Sequence, residues 1–186
     1  MLNIMHMRTE IADRQHRGPL GNGIILGLSV LAFFAGGPVA TSAANDEVLI
    51  GQTFRGCVPS EIIDGDTLSV TCAGESHRVR LHCIDAPEMD QGDWGKRSRD
   101  YLTEITSERV TLYVEDIGYY GRVIGELSAN GININRRLVD AGWAAEYPRY
   151  CDDPSYGRAQ ARAKEEKRGV WSEPGMHQTP WVWRRQ

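Results

Sequence analysis

The 186 residues suit one domain, and 21 basic against 25 acidic side chains give a net charge of −4. That balance lacks the basic footprint of a tight nucleic-acid binder, so it disfavours a processive, high-affinity DNA-binding module. Any polyanion has to be held locally, by a cation and a few arginines.

Residues 1–44 read as a secretory signal. Arg8, Arg14 and Arg17 lie in a long n-region diluted by Glu10 and Asp13, and an apolar run follows from Gly23 to Gly37. Small residues then allow cleavage after Ser42, Ala43 or Ala44. The run is short against the roughly 20 apolar residues of a spanning helix, and an uncleaved anchor is the alternative. Dropping the first 43 residues removes those three arginines and two acids and leaves a net charge of −5.

Asn45–Gln52 is a lead-in, and Phe54–Ile63 reads as a strand. Thr67–Cys72 alternates Leu68, Val70 and Cys72 against polar residues, the period of a half-buried strand. After a turn at 73–76, His77–Ile84 alternates again, with Val79, Leu81 and Cys83 on one face. Met89–Gly95 is a polar loop, and a helix follows from Trp94 or Gly95 to Ser107. Arg109–Val114 is a strand, Glu115–Arg122 a loop, and Val123–Ser128 a fifth strand. Asn130-Gly131 is a strong turn signal. Ile134–Ala141 is a short helix closed by Gly142. Asp153 and Pro154 open a last helix as N-cap and first residue, running to about Arg168.

Five short strands, one helix before the fourth and two helices after the fifth predict an α+β fold that is mainly β barrel. The oligonucleotide/oligosaccharide-binding (OB) type of five-stranded barrel, with three packed helices, is the natural candidate. It occupies residues 45–172 and leaves 173–186 as a polar tail carrying Trp181 and Trp183.

All four cysteines lie after the signal, which suggests two disulfides; zinc is the alternative, without a CxxC pair to support it. If Asp64-Gly65-Asp66 is a hairpin turn, residues whose numbers sum to about 130 face each other. Cys57 and Cys72 are then neighbours, and Cys83 falls to Cys151 by elimination.

The chemistry gathers in Ile62–Glu88. Asp66 follows the Asp64-Gly65 turn, Arg80 lies within an alternating strand, and Asp85 and Glu88 bracket Ala86-Pro87. A phosphodiester is anionic and repels nucleophiles, so its catalyst must neutralise oxygens, position a water and take its proton. Carboxylates suit a hard divalent cation. Asp66 and Asp85 come from chain reversals at one end of the sheet, and the Ala86 carbonyl adds a third protein ligand. Few protein ligands leave room for waters and a phosphate oxygen. Glu88 is then placed to activate a water, or to orient it. Arg80 and Arg122 supply forked donors that match phosphate. Taken singly each residue has a plainer role: Asp66 as a turn former, Asp85 and Glu88 as loop caps, and Arg80 and Arg122 as solvated surface charges. Tyr119 and Tyr120 taken singly are packing. The case rests on the set.

The stretches IDGDT, HRVRL, IDAPE and YYGR, in that order, resemble the staphylococcal nuclease (thermonuclease) family, from about Phe54 to Trp171. The resemblance implies a Ca2+-dependent phosphodiesterase that cleaves DNA and RNA to 3′-phosphates. It implies Asp66 and Asp85 as calcium ligands, Ala86 as a carbonyl ligand, Glu88 as general base, and Arg80 and Arg122 as phosphate-binding arginines. Tyr120 and Tyr147 match tyrosines near the nucleotide. Ala86 replaces the threonine of the best-known member, and the chain is acidic and has cysteines where that member is basic and has none. PWVWRR resembles the ending of exported bacterial members. The overall expectation is an exported, periplasmic or secreted monomer, acting on nucleic acid, with no protein partner and no membrane association once processed. A non-catalytic binding domain on the same fold, and a hydrolase of other phosphodiesters, are the competing readings.

Overall fold

The computed structural model describes Val48 and residues 50–186; the signal reading lies outside these residues. Among the described residues no helix is long and apolar enough to cross a membrane.

Strands β1 (Thr53–Ile62), β2 (Thr67–Cys72) and β3 (Glu75–Leu81) form an antiparallel meander. The short β4 (Ile84–Asp85) and helix α1 (Asp93–Ile105) come next. Then β5 (Val110–Ile117) pairs antiparallel with β1, and β6 (Val123–Ala129) with β5. A parallel seam between β3 and β6 closes the barrel, matching Val79 with Val123 and Leu81 with Gly125. The five-stranded barrel with packed helices is therefore as the sequence predicts.

Alternation drives this closure. Leu68 and Val70 of β2, Val79 and Leu81 of β3, Val110, Leu112 and Val114 of β5, and Val123 and Leu127 of β6 all point inward and are buried. Each such side chain contributes about 1.5–3 kcal/mol on leaving water. Buried Asn135 fastens the seam. Its Nδ2 donates to the carbonyls of His82 (3.0 Å) and Gly125 (3.1 Å), and its Oδ1 accepts from the Leu127 N–H at 3.1 Å.

Asn130 and Gly131 both take positive φ, as a two-residue hairpin turn requires, and lead into β7 (Ile132–Asn133). Asn133 caps α2 (Ile134–Asp140) by accepting from the Arg136 N–H at 2.9 Å. After β8 (Ala145–Glu146), Asp153 caps α3 (Pro154–Glu165) through the Ser155 N–H at 2.7 Å. A last turn of helix, α4, spans Pro180–Trp183.

Three boundaries differ most from the sequence reading, and the others shift by no more than two residues. β3 ends at Leu81, because Cys83 takes φ 69° and turns the chain so that Ile84 and Asp85 pair with Glu146 and Ala145. β5 continues through a bulge between Val114 and Asp116 to Ile117, which shortens the loop before Arg122. α3 stops at Glu165, and Lys167 already has φ 52°.

Both disulfides form as paired from the sequence, Cys57 with Cys72 and Cys83 with Cys151. The β1–β2 register explains the first: Val58 faces Thr71 and Pro59 faces Val70, both summing to 129.

Candidate functional site

The Asp64-Gly65-Asp66 turn joins β1 to β2, level with the open end of the β2–β3 pair. Asp64 Oδ1 accepts from the Asp66 N–H at 3.0 Å, and Ile63 N–H reaches the Thr67 carbonyl at 2.9 Å. Gly65 is required by crowding: a Cβ there would lie 2.0 Å from Ser98 Oγ of α1 and 2.7 Å from the Ala86 Cβ. The turn is thus wedged between α1 and the Asp85-Ala86 segment.

That wedge brings Asp66 and Asp85 together. Asp66 Oδ2 accepts from the Ala86 N–H at 2.8 Å, and Thr67 Oγ1 donates to Asp66 Oδ1 at 3.1 Å. Arg80, opposite Thr67 in the ladder, bridges the pair. Its Nη1 lies 3.0 Å from Asp66 Oδ1 and its Nη2 donates to Asp85 Oδ1. Asp66 is 2% exposed and Asp85 0%, so neither carboxylate tolerates being left unpaired. Burial and the neighbouring Asp66 charge push Asp85 above the usual carboxylate range, against the pull of Arg80 and Arg184. Burial alone would lower the Arg80 pKa, but Asp66 and Asp85 more than offset it and raise it. Asp64 is raised to about 6 by burial and then by Asp66.

Glu88 is held by its backbone. Its N–H donates to Gln91 Oε1 at 2.7 Å, and its carbonyl accepts from the Gln91 N–H at 2.9 Å. Gly95 of α1 packs on that carbonyl so closely that a Cβ would lie 2.2 Å from it. The Glu88 side chain reaches the cluster through Arg184, whose Nη1 donates to Glu88 Oε1. Arg184 Nη2 also lies 2.9 and 2.8 Å from the two Asp85 oxygens.

Four of the expected residues are therefore gathered: Asp66, Arg80 and Asp85 directly, and Glu88 through Arg184. Ala86 belongs to the same segment and is 3% exposed. Arg122 is exposed at the end of the Tyr119–Gly121 turn and makes no ion pair among the described residues. Tyr120, at φ 60°, is fully exposed. Tyr147 stacks parallel to Trp181 with ring centroids 5.1 Å apart, and its N–H donates to the Cys83 carbonyl at 2.9 Å.

Arg184 is the residue that sequence reasoning missed. Its only signal is the dense Trp-Val-Trp-Arg-Arg ending, which has no periodicity to place it. A separate trio, His82, Glu115 and Glu126, brings donor atoms within 4.8 Å of one another. Both Glu126 oxygens are already engaged there, by the Tyr156 hydroxyl at 2.6 Å and the Asn133 amide at 3.0 Å.

A small closed barrel with paired buried carboxylates beside a guanidinium at its rim defines an OB-like α+β protein with an oxygen-donor site. The comparisons narrow this class. The profile described as "Staphylococcal nuclease homologue" matches residues 78–173, which covers Arg80 to Tyr147 of the site but neither Asp66 nor Arg184. An uncharacterized endonuclease of Escherichia coli is 38% identical over 127 residues, 66% of this chain and 80% of that protein. A micrococcal nuclease of Shigella flexneri is 37% identical over 145 residues, 71% of this chain and 81% of that protein. A probable staphylococcal-like nuclease of Oryza sativa subsp. japonica is 34% identical over 110 residues, 59% of this chain and 29% of that protein. The chain belongs to the staphylococcal nuclease family.

Proposed function

We propose that this protein is an exported Ca2+-dependent nuclease that hydrolyses phosphodiester bonds of DNA, RNA or both and leaves 3′-phosphates. The observation that carries the reading is the buried Asp66–Asp85 pair bridged by Arg80 at the barrel rim. The donors fit a hard cation: they are carboxylate oxygens, they are buried, and burial and Asp66 push Asp85 toward protonation even beside Arg80 and Arg184, so further positive charge would favour its ionised form. Asp66, Asp85 and the Ala86 carbonyl would hold Ca2+. The ion would supply positive charge against phosphate oxygens and acidify a bound water.

The chain's own residues do the rest. Arg80 and Arg122 bind the non-bridging phosphate oxygens with forked donors and oppose the charge that grows on them during attack. Glu88 accepts a proton from the attacking water through a carboxylate oxygen. The new bond joins that water oxygen to phosphorus as the P–O5′ bond breaks; the 5′ oxygen takes a proton from solvent and leaves as a hydroxyl, and Glu88 returns its proton to solvent. Tyr120 and Tyr147 contact the nucleotide. Two disulfides suit an oxidising, extracytoplasmic setting, and the protein acts as a monomer.

The test is release of nucleotides from single-stranded DNA by the purified protein with Ca2+ and with EGTA. Release only with Ca2+ is the expected result. Calcium binding without cleavage would instead favour a non-catalytic binding domain on the same fold.

A further inference from the structure

The last residues return to the site. His177 is buried and stacks on Trp94 of α1, with ring centroids 4.3 Å apart. Its Nε2 lies 3.0 Å from the Val170 carbonyl. From this anchor the chain enters α4, where Trp181 stacks on Tyr147 and Trp183 Nε1 donates to Asp90 Oδ1 at 3.0 Å. Arg184 follows, set on Asp85 and Glu88 by the two docked tryptophans just before it. Glu88, Met89, Asp90, Trp183, Arg184 and Gln186 line an open cleft of about 550 Å³.

We propose that residues 180–186 form an autoinhibitory strap, in which the Arg184 guanidinium competes with the divalent cation for Asp85 and with water for Glu88. The inference rests on the reading of Asp85 and Glu88 given above. Arg184 Nη2 takes both Asp85 oxygens at 2.9 and 2.8 Å, and Arg80 also holds Oδ1. A cation drawing on Asp85 must displace this guanidinium or weaken its hold, since like charges repel strongly at such range. Glu88 Oε1, engaged by Arg184, is not available to accept a proton from water. Trp181 covers one face of Tyr147, the surface on which a base would stack. One seven-residue segment therefore faces metal ligand, base and stacking surface together.

The strap is built to lift. The Arg184 side chain is 35% exposed. α4 has only four residues, too few to hold a helix without its docked tryptophans. Undocking them frees the whole segment, and binding of Ca2+ and release of the strap are then two sides of one equilibrium.

Calorimetric titration with Ca2+, without nucleic acid, tests this on the full chain, on Arg184→Ala and on a chain ending at Thr179. The Ca2+ Kd should fall about tenfold in both variants, and Arg185→Ala should leave it unchanged. Tryptophan fluorescence of the full chain should change on Ca2+ addition, and this change should vanish in the shortened chain. Unchanged or weaker Ca2+ binding in both folded variants overturns the strap. Asp85→Asn separates the two readings. If it binds Ca2+ as the wild type does, the metal site itself is misassigned and the strap falls with it. If it loses Ca2+ while Arg184→Ala gains nothing, only the strap fails.

Discussion

Arg80 and Arg122 carry the same group into opposite surroundings. Arg80 stands within the β2–β3 ladder, its side chain 20% exposed and tied to two buried carboxylates. Arg122 stands at the end of an exposed turn beside two tyrosines exposed by 91% and 105%, with no ion pair among the described residues. The barrel thus prebuilds one half of the proposed site in its buried rim, and the β5–β6 turn presents the half assigned to Arg122 to solvent. Damage to the first half should reach both folding and activity. Damage to the second should reach activity alone.

The arginines give the largest effects. Arg122→Ala should lower kcat/KM on single-stranded DNA by about 10²–10⁴-fold and leave the Tm unchanged. Arg80→Ala should lower activity at least as much and also cost about 3–5 kcal/mol in urea unfolding, because Asp66 and Asp85 lose their bridge. Equal loss of stability in the two variants would erase the contrast. Glu88→Ala should behave as Arg122→Ala does, with the fold intact.

Glycines sharpen the comparison at a smaller scale. Gly65→Ala drives a Cβ into Ser98 and Ala86 and should cost about 1–3 kcal/mol while displacing Asp66. Gly121→Ala, at φ 71° with nothing within 4 Å, should cost only about 1 kcal/mol from backbone strain. Unfolding curves and Ca2+ titrations of both proteins compare the two directly.

A pH profile probes the buried half further. Asp64 is raised from 3.8 to about 6, so the folded chain keeps a proton that the unfolded chain has released. The stability this contributes is full below about pH 4 and is lost as the pH rises through about 6. Asp64→Asn keeps the acceptor for the Asp66 N–H. It should gain about 1 kcal/mol at about pH 8, after discounting for partial exposure, and nothing near pH 3.5. Smallest of all, Tyr120→Ala should raise KM by about 2–10-fold, the worth of a single exposed ring contact, with Tm unmoved.

What the sequence made legible was local. Alternation placed β2 to the residue, and the Asp64–Asp66 turn fixed the register that joins Cys57 to Cys72. Asp153 and Pro154 opened α3 because capping is a short-range matter. The misplaced boundaries depend on distant partners. The β5 bulge lets Asp116 and Ile117 continue pairing with Ile124 and Val123, and β4 exists only because β8 lies beside it. The turn-borne acids and the Arg80 strand could be read as a set because neighbouring chain reversals bring them to one end of the sheet. Arg184 lies 99 residues from Asp85, on a segment whose place is set by two stacked rings and one indole hydrogen bond. No periodicity announces such docking.

The Cys83–Cys151 bond ties the firmness of the acid pocket to oxidation. It spans 68 residues and clamps the stretch just before Asp85 to the stretch just after Tyr147. With the thiols reduced, that junction would rest on the two-residue β4–β8 pairing, the hydrogen bond from Tyr147 to Cys83 and core packing. Closing a loop of 68 residues removes freedom from the unfolded chain, so the oxidised chain should hold its acid pocket more firmly than the reduced one. If the chain is exported as proposed above, the bond would form, and firm the pocket, only once the chain has left the reducing compartment that made it.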